Sequence, residues 1–264
     1  MCRVAAVVGA PAPLSLLLYD APHSLERQAY APREMLAGTV NVDGTGVAWW
    51  PEGDVSDEPV RYVTERPPWS DPNLPLLAHR FRARAALAAV RSATPGMPFG
   101  PGAVAPFVHG PLAGAHNGWL GRFREGTGRA LGERLPPDLY AALDAVNDSL
   151  FVFLTVVKHH RARPEAGLAA AVAATVREVV DVCAAHEAEA ALNVVVTDGA
   201  RVVATRASHR VEGTNPLSVC QGGARWPGAT VVASEPLDDD PAWEAVPPDH
   251  LVDAGADGLT VRAL

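Results

Sequence analysis

The chain has 264 residues, enough for one large domain or two small ones at roughly 150 residues each. Apolar residues make up 48% and charged residues 20%, which excludes a disordered chain and leaves ample material for a core. Lys and Arg number 22 against 30 Asp and Glu, a net charge of −8, and so acidic a balance argues against nucleic-acid binding, which needs a basic stripe facing phosphates.

Cys2, Cys183 and Cys220 are odd in number and far apart, so they form neither a disulfide framework nor a metal-ligand spacing. No apolar run reaches 18 residues, as a membrane-spanning helix requires. The stretch from Val4 to Leu18 has the apolar character of a signal-peptide core. Pro11 and Pro13 interrupt it, and its charged flank is Arg3 alone, so the expectation is a soluble cytoplasmic protein.

In chain order, Val4 to Gly9 reads as a buried strand that ends at a Gly-Ala-Pro break. Thr39 to Trp50 has strand character around the turn Asp43-Gly44-Thr45-Gly46. Pro51 to Asn73 is polar, rich in proline, and reads as surface loop. Ala86 to Val90 is a second apolar run, closed by Arg91. Pro95 to Pro106, with four prolines and three glycines, is irregular. Leu112 to Ala115 is a short strand before His116-Asn117-Gly118. Leu150, Phe153, Leu154 and Val157 then form one helix face, capped by Asn147 or Asp148. Pro164 and Glu165 open a second helix, with its stripe at Leu168, Val172, Val176, Val179, Val180 and Cys183. Asn193–Thr197 and Arg201–Arg206 make a hairpin whose Asp198-Gly199 suits a type I′ turn. Thr230 to Ser234 and Gly258 to Arg262 are further strands. Strict β-α-β alternation is absent, so helices packed on antiparallel sheets fit better than a doubly wound parallel sheet.

Four pieces bear on chemistry. Loss of the initiator methionine would leave Cys2 with a thiol and a free α-amine on one residue. An α-amine ordinarily titrates at about 7.7–8.0, which makes it a serviceable base near neutral pH. Nucleophile and base are then covalently joined; the plain alternative is a cysteine on a frayed terminus. In His116-Asn117-Gly118, an Asn amide and a glycine N–H can aim at one developing oxyanion, although Asn-Gly is also a common turn. Arg91 at a strand end can clamp a carboxylate with two hydrogen bonds, or make a surface ion pair. Asp148 at a helix start can cap the helix or receive an ammonium.

Together, the Met-Cys-Arg start, VNVDGTGVAWW, VRSATPGMP, AHNG and the NDS at a helix start resemble the class II glutamine amidotransferases of the N-terminal-nucleophile hydrolases. Within them, APREMLAGTVNVDGTGVAWW, AAVRSATPGMP, APFVHG and ASEPLDDDPAWEAVPPDHLV look like the γ-glutamyl hydrolase family of bacterial ergothioneine biosynthesis. The likeness runs from Met1 to Leu264 and is loosest between Trp119 and Leu143. It implies a single α+β domain over 1–264, a four-layer αββα sandwich with two antiparallel sheets between helical layers. It also implies that Cys2 is the nucleophile after loss of Met1, with Asn117 and the Gly118 amide as the oxyanion hole. Arg91 and Thr94 would hold the glutamyl α-carboxylate, Asp148 its α-ammonium, and His116 would line the same pocket. The implied reaction cleaves the γ-glutamyl amide of γ-glutamyl-hercynylcysteine S-oxide. The implied partner is this small molecule, with no cofactor or metal; composition already argues against nucleic acid and membrane, and a homo-oligomer is left open. The wider family often has an aromatic after its arginine and a histidine after its threonine, where this chain has Ser92 and Pro95.

Two other functions remain open at this level: a glutaminase subunit that passes ammonia to a separate synthase, and a non-catalytic binding domain of the same fold. Cys183 reads as core and Cys220 as loop or core. His159 and His160 complement a helix C-terminus, and Asp238-Asp239-Asp240 reads as a solvated turn. Trp49, Trp50, Trp69 and Trp119 fall near the site motifs; core packing is their ordinary role, and binding a trimethylammonium group is the alternative.

Overall fold

The structure, a computed structural model, describes residues 2–35, 38, 40–93 and 96–264. Two antiparallel sheets lie face to face. The first has the order β12 (Trp243–Ala245), β10 (Ser218–Gln221), β11 (Ala229–Ala233), β1 (Arg3–Pro13), β4 (Arg82–Val90), β2 (Thr45–Pro51) and β3 (Val60–Thr64). The second has the order β14 (Gly258–Ala263), β13 (His250–Gly255), β8 (Arg201–Arg206), β7 (Ala190–Thr197), β6 (Leu112–Leu120) and β5 (Phe107–His109), and the short β9 (Ser208–His209) also pairs with β7.

Strand periodicity sorts the apolar residues into three cores. In β1, Val4, Ala6 and Val8 face the second sheet, while Ala5 and Val7 face outward. In β2, Trp50 points into the space between the sheets and Trp49 to the far side. The outer face of the first sheet is covered by α1 (Leu25–Tyr30), α2 (Leu74–Arg80) and a π-helical turn at Leu16–Asp20, through Leu17, Leu18, Leu25, Leu74 and Ala78. The outer face of the second sheet is covered by α3 (Thr127–Gly132), α4 (Pro137–Ala141), α5 (Asp148–Ala162) and α6 (Gly167–Ala185). Three cores between four layers make the expected αββα sandwich. No helix among the described residues is long and apolar enough to cross a membrane.

Several local expectations need correction. Strand β1 continues past Gly9 to Pro13 through a register shift. Gly9 has φ +125°, and a Cβ there would stand 2.6 Å from the Gly228 carbonyl oxygen, so the irregularity needs glycine. The loop expected at Pro51–Asn73 contains β3, which among the described residues is an edge strand paired with β2. The extended structure expected from Thr39 begins only at Thr45, and Thr39 itself lies outside the described residues. The turn at Asp198-Gly199 is not type I′, because Gly199 has a positive φ and Asp198 does not. Instead the Asp198 carboxylate accepts the N–H groups of Ala200 and Arg201 (2.9 and 2.7 Å), closing a longer turn. The expected face of α5 is wider than one stripe: Phe151, Val152 and Val156 are buried too, because α3, α6 and β6 all pack against this helix. Asp238 is not part of a solvated turn. It is buried, accepts the Trp243 indole N–H (2.8 Å) and meets the Arg225 guanidinium (3.3 Å). Cys183 and Cys220 are both buried.

Candidate active site

The register of the first sheet places Cys2 beside Arg91. Arg3 pairs with Val90 across β1 and β4, so the residue before one is next to the residue after the other. Cys2 is half-buried, and its Sγ lies 3.9 Å from the Ser92 carbonyl oxygen. The same corner opens into a pocket of about 540 Å³, part of it open to solvent, lined by Cys2, Arg91, Ser92, His116, Gly118 and Asp148 among others.

Arg91 is buried. One of its terminal nitrogens donates to the Pro98 carbonyl (2.7 Å), and the Phe99 ring lies over the guanidinium at 5.7 Å. Its Nη1 is buried with no hydrogen-bond partner, and no carboxylate among the described residues forms an ion pair with it. A buried cation with an unused donor on a pocket wall is a ready receptor for a planar anion. Asp43 braces this segment: its N–H donates to the Arg91 carbonyl (3.0 Å) and its carboxylate accepts the Ala93 N–H (2.7 Å). Thr94, expected beside Arg91, lies outside the described residues.

The second sheet supplies the facing wall. His116, Asn117 and Gly118 lie within β6 and not in a turn, each paired with β7. Gly118 stands opposite Leu192, and Leu192 sends its N–H to the Ala207 carbonyl, away from β6. Gly118 is therefore a non-hydrogen-bonded partner of β7, and its N–H points to the other edge of β6. Leu120, two residues on, shows the same direction by donating to Asp148 Oδ2 (3.1 Å). On that edge β5 reaches no further than Gly114, which leaves the Gly118 amide bordering the pocket. A side chain at Gly118 would collide with the Ala191 carbonyl and with His116 Nε2.

Asn117 has the opposite parity, that of Ala113 and Ala115, and points between the sheets. Its Nδ2 donates to Ser234 Oγ (3.3 Å), which also accepts the Val4 N–H (3.0 Å), so this amide is tied to the start of β1, next to Cys2. His116 faces the helices. Its Nε2 is 2.8 Å from the Ala191 carbonyl, which accepts only from an N–H, so the proton sits on Nε2 and Nδ1 is left for the Ser149 hydroxyl (3.2 Å). Burial pushes the His116 pKa down against the charge of Asp148, so the ring is a neutral buttress with both nitrogens engaged. Asp148 opens α5, where Asn147 is the cap and accepts the Leu150 N–H (2.7 Å). Its carboxylate accepts from Leu120 and Ser149 N–H groups and still faces the pocket.

Beneath Cys2 lies a network that sequence reasoning missed. Arg3, fully buried, holds the Cys2 carbonyl through Nη1 (3.0 Å) and Glu235 through Nε (2.9 Å). Glu235 also meets His23 Nε2 and the Arg33 N–H, both at 2.7 Å. Burial alone would raise the Glu235 carboxyl. The bonds from His23 and Arg33 and the charge of Arg3 overcome it and hold the pKa at about 2. The four tryptophans take no part in the pocket wall. Trp49 and Trp50 fill two cores, Trp69 is exposed in a T-shaped contact with Tyr30, and Trp119 follows Gly118 in β6 without lining the pocket.

No protein-family profile matches the chain. It is 37% identical over 253 residues to the γ-glutamyl-hercynylcysteine sulfoxide hydrolase of Mycolicibacterium smegmatis, covering 96% of this chain and 95% of that protein. It is 34% identical to the Mycobacterium tuberculosis protein of the same name, covering 100% of this chain and 97% of the other. The chain belongs to the γ-glutamyl-hercynylcysteine sulfoxide hydrolase family. The fold of this family member matches a glutamine aminotransferase class-II domain protein from Silicibacter pomeroyi with a TM-score of 0.70 at 22% identity, over 99% of this chain and 98% of the other. It also matches glutamine phosphoribosylpyrophosphate amidotransferase of B. subtilis with a TM-score of 0.66 at 16% identity, over 99% of this chain and 49% of the larger one.

Proposed function

We propose that the chain hydrolyses the γ-glutamyl amide of γ-glutamyl-hercynylcysteine sulfoxide, releasing glutamate and hercynylcysteine sulfoxide, in ergothioneine biosynthesis. The observation that carries this is one pocket lined by Cys2, Arg91, Gly118 and Asp148. These are a nucleophile, an unpaired guanidinium, a free backbone donor and a carboxylate, the set a glutamyl group and its reacting carbonyl require.

Removal of Met1 leaves Cys2 with its α-amine. Arg91 and Thr94 take the α-carboxylate of the substrate and Asp148 its α-ammonium. The α-amine accepts the thiol proton, directly or through a water, and Sγ attacks the γ-carbonyl carbon. The Gly118 N–H and the Asn117 amide take up the oxyanion, each worth about 3 kcal/mol of barrier in comparable sites. The C–N bond breaks as the leaving amine receives the proton, and water then cleaves the thioester to glutamate and restores the thiol. Arg3 holds the Cys2 carbonyl beside the pocket. The whole of 1–264 acts as one unit on a small molecule. The unpaired thiols of Cys2, Cys183 and Cys220 suit the reducing cytoplasm.

The test is a comparison of rates across γ-glutamyl amides with different leaving amines, with the intact mass of the active material measured alongside. The reading expects the sulfoxide conjugate to exceed free glutamine in kcat/KM by at least about tenfold and the active species to lack Met1. Preference for glutamine would point to an ammonia-delivering glutaminase. Full activity with Met1 attached would overturn the role of the α-amine.

A further inference from the structure

The amide of Asn117 can serve an oxyanion only if its nitrogen end faces the nucleophile. Rotating the group by half a turn would put a carbonyl oxygen there instead. Ser234 does not fix this choice, because a hydroxyl can donate as well as accept. The choice is made on the other side. Asn215, buried in the loop between β9 and β10, donates from Nδ2 to both the Asn117 backbone carbonyl (3.2 Å) and Asn117 Oδ1 (3.3 Å). The backbone carbonyl accepts only, so it settles that Nδ2 of Asn215 is the end facing Asn117. With that donor in place, the Asn117 side chain must present Oδ1 to Asn215 and Nδ2 to Ser234. The flipped state would set two NH₂ groups against each other in a buried site.

Asn215 is itself held. Asn193 stands directly opposite Asn117 across β6 and β7 and donates from Nδ2 to the carbonyls of Asn215 (2.9 Å) and Pro216 (3.2 Å). A chain of three asparagines thus runs from the middle of the second sheet to the first residues of β1. The Asn117 amide carries two hydrogens. Ser234 takes one, and the proposed reaction gives the other to the oxyanion.

We infer that Asn215 is a positioning residue of this site, and that it fixes which end of the Asn117 amide faces the nucleophile while Asn193 anchors it. The inference rests on Asn117 being an oxyanion donor. A structural role for Asn215 would act whatever residue stands at 117; a positioning role acts only through the Asn117 amide. Kinetics of Asn117→Ala, Asn215→Ala and the double variant, on the γ-glutamyl sulfoxide conjugate, separate these cases. Asn117→Ala is expected to lower kcat about 10²–10³-fold. Asn215→Ala is expected to lower kcat about tenfold with KM within twofold, and to have no further effect in the Asn117→Ala background. Asn215→Asp, which offers only acceptors to the two Asn117 oxygens, should lower kcat at least as far as Asn215→Ala.

An Asn215→Ala penalty that persists undiminished in the Asn117→Ala background overturns the inference and leaves the oxyanion reading intact. So does a kcat within twofold of the parent. A parental kcat for Asn117→Ala overturns the oxyanion reading itself. Should Asn215→Ala fail to fold, the same cycle is read with Asn215→Asp, which keeps the side-chain shape and removes the donor.

Discussion

Two buried arginines flank Cys2, and they are held in opposite ways. Arg3 is matched: a carboxylate at 2.9 Å, a carbonyl at 3.0 Å, and behind the carboxylate a histidine and a backbone amide. Arg91 is unmatched: it has one carbonyl and an aromatic face at the edge of a pocket, and no carboxylate among the described residues, although each arginine leaves one buried terminal nitrogen without a hydrogen bond. Burying a guanidinium without an anion is costly, so an arginine held that way has a use other than stability. On the proposed reading, the contrast separates a charge that builds the site from a charge that waits for a ligand.

The largest effect concerns the residue between them. Cys2→Ala should lower turnover by about 10⁴-fold or more, as loss of a covalent nucleophile does elsewhere. Both arginines keep their partners in this variant, so its thermal midpoint should stay within a few degrees of the parent. Residual turnover near the parental rate would remove Cys2 from the chemistry and leave the contrast without a functional meaning.

Next comes Arg3→Met, which strands Glu235 in a dry site. Removing one partner of a buried pair costs about 3–5 kcal/mol. Denaturant unfolding should show that loss with or without ligand. A midpoint equal to the parent would mean that Arg3 is no more structural than Arg91.

The matched arginine also predicts how the protein responds to acid. Glu235 has its pKa held at about 2 in the folded chain, below its ordinary value near 4.5. A depressed carboxyl contributes its full stability above the unfolded pKa and loses it as the pH falls through the folded value. The contribution is on the order of 3 kcal/mol, and it should disappear between about pH 4.5 and pH 2. Acid unfolding followed by circular dichroism should be shallower in Glu235→Gln over that window. Identical acid profiles would show that the Arg3–Glu235–His23 network does not set the charge state of Glu235.

Which of these features a reader of the sequence could see depends on how far apart their parts lie in the chain. Cys2, Arg91 and Asp148 stood at ends of recognisable elements, and periodicity located those elements, so the positions were visible before their proximity was. The two long helices and the strands of β1, β7 and β11 were legible because their apolar spacing is regular. Edge strand β3 was not, since an edge needs little apolar residue on either face. The strand expected to end at Ala115 runs on through His116-Asn117-Gly118, because Asn-Gly also has turn chemistry and only pairing with the distant Leu192–Val194 stretch of β7 makes it extended. Glu235 and Ser234 lie in the stretch ASEPLDDD, where nothing local gives them a role. Their meaning comes from Arg3 and Asn117, 232 and 117 residues distant, and no local pattern encodes such pairs.

The sharpest test of the contrast is also the smallest in energy. Arg91→Met removes a charge that no carboxylate among the described residues shares, so little is stranded by its loss. A charge-assisted pair of hydrogen bonds to a substrate carboxylate is worth about 1.5–3 kcal/mol, and kcat/KM should fall about 100-fold, mostly through KM. Stability should hold or rise, the reverse of Arg3→Met, because a poorly solvated cation is replaced by an apolar chain of similar length. Arg91→Lys should recover little, since a single ammonium cannot supply the planar fork. Added glutamate gives an independent reading: it should raise the melting temperature of the parent by mass action and leave Arg91→Met nearly unmoved. If Arg91→Met instead loses several kcal/mol while its KM is unchanged, then Arg91 is a second structural arginine, and the glutamyl carboxylate is held by other groups.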